Sequence, residues 1–298
     1  MNNESNPRSV APHSPPDPSL IRVIRSLDLV ARAAECAYFV AGATARDLIL
    51  VSVHGLRPGR ATRDVDFGIA VQNWEQFADL KARLVATGEF SVDRRALQRL
   101  IYTDHAASFT VPIDLIPFRG VTSADGTVAW PPSRDILLNV AGFEEALACS
   151  LLIQMEEDLA VRVASIPGLT LLKLAAWADR GRENNKDASD LYRLFAAYAD
   201  AGNIDRIYDH ELDLLEAVAY QMEVAGAELL GRDVAGIAPS HAVDEIRSLM
   251  ASDDNRQRLV QQIVHTTYAE AAPGIERIVS GFCRGLLSPK VASRVRPA

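Results

Sequence analysis

A chain of 298 residues is longer than one compact core usually holds, so two subdomains are expected. Its 48 % apolar and 23 % charged residues give a globular balance that can bury a core. The formal net charge of −8 excludes a protein that coats nucleic acid through a broad basic face. Local basic clusters remain at Arg57, Arg60 and Arg63 and at Arg94, Arg95 and Arg99, a pattern more often solvated surface than an RNA site.

Cys36, Cys149 and Cys283 have neither metal-ligand spacing nor the look of a disulfide framework. No basic-then-apolar leader and no membrane-length apolar run occurs, which gives the expectation of a cytoplasmic protein without a membrane partner.

In chain order, residues 1–18 are rich in Asn, Ser and Pro and are expected to be disordered. Leu20, Ile24, Leu27, Ala31 and Ala34 recur at helical spacing and predict an amphipathic helix over 19–37. Tyr38 to Val40 reads as a short buried strand. Thr44 to Val51 reads as a helix whose start abuts the turn at Gly42-Ala43, and 52–62 as a loop. Val65, Phe67 and Ile69 alternate with Asp64, Asp66 and Gly68, a strand with one apolar face. A helix is expected from Asn73 to Ala86 with Trp74, Phe77, Leu80 and Leu84 inward. Hairpins follow at Leu100–Thr103 with Ser108–Ile116, and at Cys149–Met155 with Leu159–Ser165. After Pro167 the pattern becomes helical, beginning with Leu169–Asp179 and Lys186–Tyr198. The fold class is therefore α+β: a head over 19–166, built on a mixed or antiparallel sheet flanked by helices, and a helical domain over 167–298.

The chemistry-bearing residues lie in the head. Side chains two apart on a strand share a face, so Asp64 and Asp66 project together. Asp114 sits in the apolar run Val111-Pro112-Ile113-Asp114-Leu115-Ile116, where an unpaired carboxylate is costly. Three such carboxylates can hold two magnesium ions on a nucleoside triphosphate, which points to nucleotidyl transfer. A polar-faced edge strand is the alternative for the Asp64–Asp66 pair alone. Gly42, Ala43 and Thr44 open a helix after a strand, where small residues and free amides suit phosphate. Arg46 either meets the triphosphate or ties its helix to neighbours. Lys186 and Asp190 share a helix side at i, i+4, as an exposed ion pair or as part of a site. Lys173 lies mid-helix among leucines, where an ammonium has a task or snorkels outward.

In combination these elements resemble the polymerase-beta nucleotidyltransferase superfamily. Phe39-Val40-Ala41-Gly42-Ala43-Thr44-Ala45-Arg46-Asp47-Leu48 is similar to the start of the CCA-adding enzyme and poly(A) polymerase head. Arg60-Ala61-Thr62-Arg63-Asp64-Val65-Asp66 is similar to the AbiEii-type toxins, as are Lys173 within Leu171-Leu172-Lys173-Leu174 and Lys186-Asp187-Ala188-Ser189-Asp190-Leu191. The resemblance covers about residues 38–195. It implies an enzyme that moves a nucleoside monophosphate from a triphosphate to a hydroxyl. It also implies metal on Asp64, Asp66 and Asp114, the last of these holding the second ion or helping to deprotonate the acceptor, triphosphate at Gly42, Ala43, Thr44 and Lys173, and completion of the site by Lys186 and Asp190. The implied partners are a tRNA, other RNA or protein acceptor and an antitoxin protein. The chain departs from the family turn at Ala43, where a second Gly or a Ser is usual, and shows no basic tail for a tRNA acceptor stem. A small-molecule (antibiotic) nucleotidyltransferase and a catalytically silent nucleotide-binding module are the alternatives.

Overall fold

A computed structural model describes residues 8–10, 14–60, 62, 64–105, 107–181, 185–238, 240–267 and 271–288. Contacts divide the chain into two compact units, Met1–Leu172 and Lys173–Ala298. Arg63 of the acidic-strand motif lies outside the described residues, as do 1–7 and 11–13 of the leading segment. No helix among the described residues is long and apolar enough to cross a membrane.

Among the described residues the first unit has ten strands: β1 (Arg8–Ser9), β2 (Ala37–Ala41), β3 (Val65–Val71), β4 (Phe90–Val92), β5 (Arg99–Asp104), β6 (Phe109–Arg119), β7 (Thr127–Ala129), β8 (Leu137–Asn139), β9 (Leu151–Glu156) and β10 (Leu159–Val163). Eight of them form one mixed sheet in the order β1-β9-β10-β2-β3-β6-β5-β4, and β7 pairs with β8 alone. Both expected hairpins form, as β5–β6 and β9–β10. Arg8–Ser9 pair in parallel with Ile153 and Gln154, so part of the polar leading segment is an edge strand.

Helices α1 (Pro18–Ala33), α2 (Gly42–Asp47), α3 (Trp74–Ala86) and α4 (Phe143–Ala148) accompany the sheet. Asp17 caps α1 by accepting from the Ser19 amide at 2.7 Å, and Pro18 supplies a pre-set φ at its first position. Val23, Ile24, Leu27 and Ala31 are the stripe it buries. Asn73 caps α3 in the same way through the Gln76 amide at 2.9 Å. The helix expected over 44–51 is α2 continued as a π-helical segment, Leu48–Val53, which buries Leu48, Ile49 and Leu50.

The two faces of the sheet are covered differently. Tyr38 points toward α1, where its hydroxyl donates to Asp28 at 2.8 Å, and its ring meets Phe67 edge-on. Phe39, its neighbour, points the other way and packs with Phe118 and with Phe143 of α4. This corrects the expectation of a β3 with one apolar and one open face: from Phe67 to Val71 every residue is buried. β3 lies in the middle of the sheet, and a central strand covered on both sides has no wet face. Only the Asp64–Asp66 end is open.

Helix α5 (Ile166–Arg180) runs across the division between the units. The second unit continues with α6 (Lys186–Ala197), α7 (Ile204–His210), α8 (Leu212–Ala217), α9 (Met222–Gly236), α10 (His241–Ala251), α11 (Asp253–His265) and α12 (Ala272–Leu287). Its centre is the α9–α12 pair, where the backbones approach so closely that a Cβ on Gly285 would lie 1.9 Å from the Glu228 carbonyl oxygen. Phe195 of α6 stacks on Phe282 of α12 with centroids 4.1 Å apart.

Candidate active site

Parallel pairing of β3 with β6 sets Asp66 directly beside Asp114, in a register that also aligns Val65 with Ile113 and Phe67 with Leu115. On the other side of β3, antiparallel pairing with β2 puts Ala41 opposite Asp66, so the turn that follows β2 falls against that carboxylate. Gly42 opens the turn with φ +62°, and a Cβ there would lie 1.8 Å from Asp66 Oδ2. Asp64 stands one residue ahead of β3. Oxygens of Asp64, Asp66 and Asp114 lie within 4.8 Å of one another.

Asp64 and Asp114 are each oriented by a neighbour. The Thr62 hydroxyl donates to Asp64 Oδ1 at 2.5 Å, and the Thr44 hydroxyl donates to the Asp64 carbonyl at 3.3 Å. Arg99 begins β5 opposite Asp114 in the hairpin register. Its Nε donates to Asp114 Oδ1 at 2.8 Å and its Nη2 to Oδ2 at 2.7 Å, a two-pronged hold that fits guanidinium geometry. The same Nη2 is 3.6 Å from Asp64 Oδ2. These hydrogen bonds, with the charge of Asp114 beside it, raise the Arg99 pKa against the opposing effect of burial. The cluster opens to solvent at one end: the Asp64 side chain is 43 % exposed and that of Asp114 12 %.

Hard oxygen donors at this spacing fit magnesium. Metal–oxygen bonds of about 2.1 Å separate ligand oxygens by about 3 Å in cis and about 4.2 Å in trans. A set spread over 4.8 Å can thus close on one ion or lie along two ions about 3.5–4 Å apart.

The remaining expected residues have other surroundings. Ala43 is partly exposed beside Gly42, whereas Thr44 is buried and its hydroxyl braces the acidic strand. The Arg46 side chain is 3 % exposed; it donates to Asp47 Oδ1 and Oδ2 at 2.8 and 3.0 Å and to the Arg60 carbonyl at 3.1 Å, tying α2 to the loop before Asp64.

In the second unit, Lys173 forms ion pairs with Asp190 at 2.7 Å and Asp187 at 3.0 Å, and Arg180 donates to Asp187 at 3.0 Å. Burial works to lower the Lys173 pKa, but Asp190 and Asp187 outweigh it and hold it raised. For Asp187 burial works upward, and Arg180 and Lys173 outweigh that, so its pKa is lowered. Asp190 is buried rather than half of an exposed helix-start pair, while Lys186 is exposed. The reason is the packing of α6, whose inner face carries Asp187, Ala188, Leu191 and Leu194.

Sequence reasoning assigned no role to Arg99, named only in a basic cluster read as surface, or to Thr62 and Asp187, named only within motifs. For Asp187 a signal existed, since Ala188, Leu191, Leu194 and Phe195 define the inner face of α6 and put Asp187 on its border. Nothing local marks Arg99, whose partner is set by pairing across the hairpin.

The chain has structural similarity to the antibiotic-resistance factor ANT(2'')-Ia, at 12 % identity over 68 % of this chain and 98 % of that one with a TM-score of 0.35. A CCA-adding enzyme in complex with ATP aligns at 13 % identity over 92 % of this chain and 80 % of that one, TM-score 0.32. The Thermotoga maritima CCA-adding enzyme complexed with tRNA aligns at 12 % identity over the same shares, TM-score 0.26. No curated protein sequence matches. The model of the nucleotidyl transferase AbiEii toxins of type IV toxin–antitoxin systems matches residues 26–279, and the chain belongs to that family.

Proposed function

We propose that the protein is a magnesium-dependent nucleotidyltransferase that moves a nucleoside monophosphate from a nucleoside triphosphate to a hydroxyl on RNA or protein, as the toxin of a pair whose antitoxin restrains it. The observation that carries this reading is the convergence of Asp64, Asp66 and Asp114 beside the Gly42 turn. Divalent ions at such a cluster neutralise the triphosphate and stabilise the attacking and leaving oxygens.

The acceptor oxygen attacks the α-phosphorus, the bond from that phosphorus to the α,β-bridging oxygen breaks, and pyrophosphate leaves. Asp64 and Asp66 serve as metal ligands from one strand and Asp114 from the next. Arg99 engages both Asp114 oxygens, and the hydroxyl proton leaves to solvent. Gly42 and Ala43 give the phosphates a surface with nothing larger than a methyl group. Thr62 keeps Asp64 turned toward the cluster. In the second unit, Asp187 and Asp190 hold the Lys173 ammonium in one position.

The test is incubation of the protein with each of the four ribonucleoside triphosphates, labelled at the α-phosphate, with magnesium and either total RNA or total protein. Label in one pool, with release of pyrophosphate and none from γ-labelled triphosphate, supports the reading and names the acceptor class. Transfer of γ-label instead, or no label with any nucleotide in either pool, counts against it.

A further inference from the structure

Arg99 holds Asp114 through two hydrogen bonds and approaches Asp64. Its side chain is 29 % exposed and stands between Asp114 and the 43 % exposed Asp64, at the open end of the cluster and not in the core. So placed, the pair bears on what the cluster can bind. The Arg99 guanidinium offsets carboxylate charge at Asp114. Both Asp114 oxygens are already engaged in the in-plane directions that a guanidinium fork prefers.

We propose that Arg99 is a resident counter-ion that competes with divalent metal for Asp114, so that the cluster takes up its full metal complement only when nucleotide arrives. This rests on the reading of the cluster as a metal site. A second ion has to share Asp114 with the guanidinium, and the negative charge of an incoming triphosphate is what makes that sharing favourable. Arg99 thereby links full metal loading to the presence of substrate. A guanidinium that only held Asp114 in position would have the opposite signature, because its loss would weaken metal binding.

The experiment is Mn2+ titration of the full chain without nucleotide, following free Mn2+ by electron paramagnetic resonance, with circular dichroism as the check on folding. Arg99→Gln is expected to bind Mn2+ about tenfold tighter than wild type and to gain a second site, a change of the size that residues behind metal ligands produce. Asp114→Asn is expected to weaken Mn2+ binding more in the Arg99→Gln background than in wild type, since only there is Asp114 free to ligate. If Arg99→Gln does not fold, Arg99→Lys is read in its place; its ammonium cannot engage both oxygens, so it also binds Mn2+ more tightly than wild type. Unchanged or weaker binding in a folded Arg99 variant, where wild type binds through Asp64 and Asp66, overturns the counter-ion role alone. Wild-type binding that is absent, or indifferent to Asp64→Asn/Asp66→Asn, overturns the metal site beneath it.

Discussion

Gly42 and Asp66 are in such close contact that the smallest side chain on the glycine would overlap the carboxylate, with a Cβ 1.8 Å from Oδ2. The turn and the acidic strand are therefore one unit: the path of the backbone out of β2 decides where the Asp66 oxygens lie. The φ of +62° at Gly42 adds a second reason for glycine, since a left-handed conformation is unfavourable for any residue with a Cβ.

Gly42→Ala is expected to lower the stability of the first unit by about 1–3 kcal/mol, from the strained φ and the displaced carboxylate. Transfer should fall by more than stability explains, about 100-fold, because a displacement near 1 Å at the reacting centre has that effect. Thermal denaturation and a transfer assay at a temperature where the variant is folded separate the two. A variant destabilised but fully active would show that the Asp66 position does not matter to the chemistry.

Thr62 reaches Asp64 Oδ1 from the loop ahead of the strand, a hydrogen bond of 2.5 Å to a carboxylate that is otherwise largely solvated. Thr62→Val keeps the shape and removes the donor. Mn2+ affinity should drop about tenfold with an unchanged melting temperature, as for residues that orient metal ligands. The measurement is the same Mn2+ titration beside a thermal scan.

Lys173 stands between two buried carboxylates, so its removal leaves Asp187 and Asp190 with less compensation than they have. Lys173→Met should destabilise by about 3–5 kcal/mol, read as a lower urea midpoint, and adding Asp187→Asn should recover part of that. The cluster also gives a pH signature. The Asp187 pKa is depressed below the usual 3.8, so its stabilisation is present above that value and is lost as pH falls through the lower, folded value. The Lys173 pKa is raised above the usual 10.5, so its stabilisation is complete below that value and is lost as pH rises through the higher, folded value. Between those limits this cluster should add no pH dependence to the urea midpoint, and Lys173→Met should flatten the acid limb.

Much of the site was legible because its parts are local. Asp64 and Asp66 sit two apart on an alternating strand, Asp114 interrupts an apolar run, and Gly42 follows a buried strand. Their convergence required a parallel β3–β6 pairing, for which the motif resemblance was the guide, as periodicity does not say which strands are neighbours. Arg99 was not legible for the same reason: its tie to Asp114 is a register fact of the hairpin. The dry face of β3 was hidden because Gly68 and Ala70 read as neutral in an alternation, yet both are buried within the central sheet. The short β4, β7, β8 and α4 carry too few residues for periodicity to show. Arg46 was open between two readings on sequence, and its bonds to Asp47 and the Arg60 carbonyl give it an anchoring task.

The most direct test of the central claim is transfer of α-phosphate label by wild type and by Asp66→Asn, which keeps the shape of the side chain and removes its charge. With magnesium present, wild type is expected to transfer label and Asp66→Asn to lose about 1000-fold or more at an unchanged melting temperature, as for loss of a metal ligand that stabilises the transition state by several kcal/mol. Transfer by Asp66→Asn at the wild-type rate, or by wild type at full rate in excess chelator, would contradict the account.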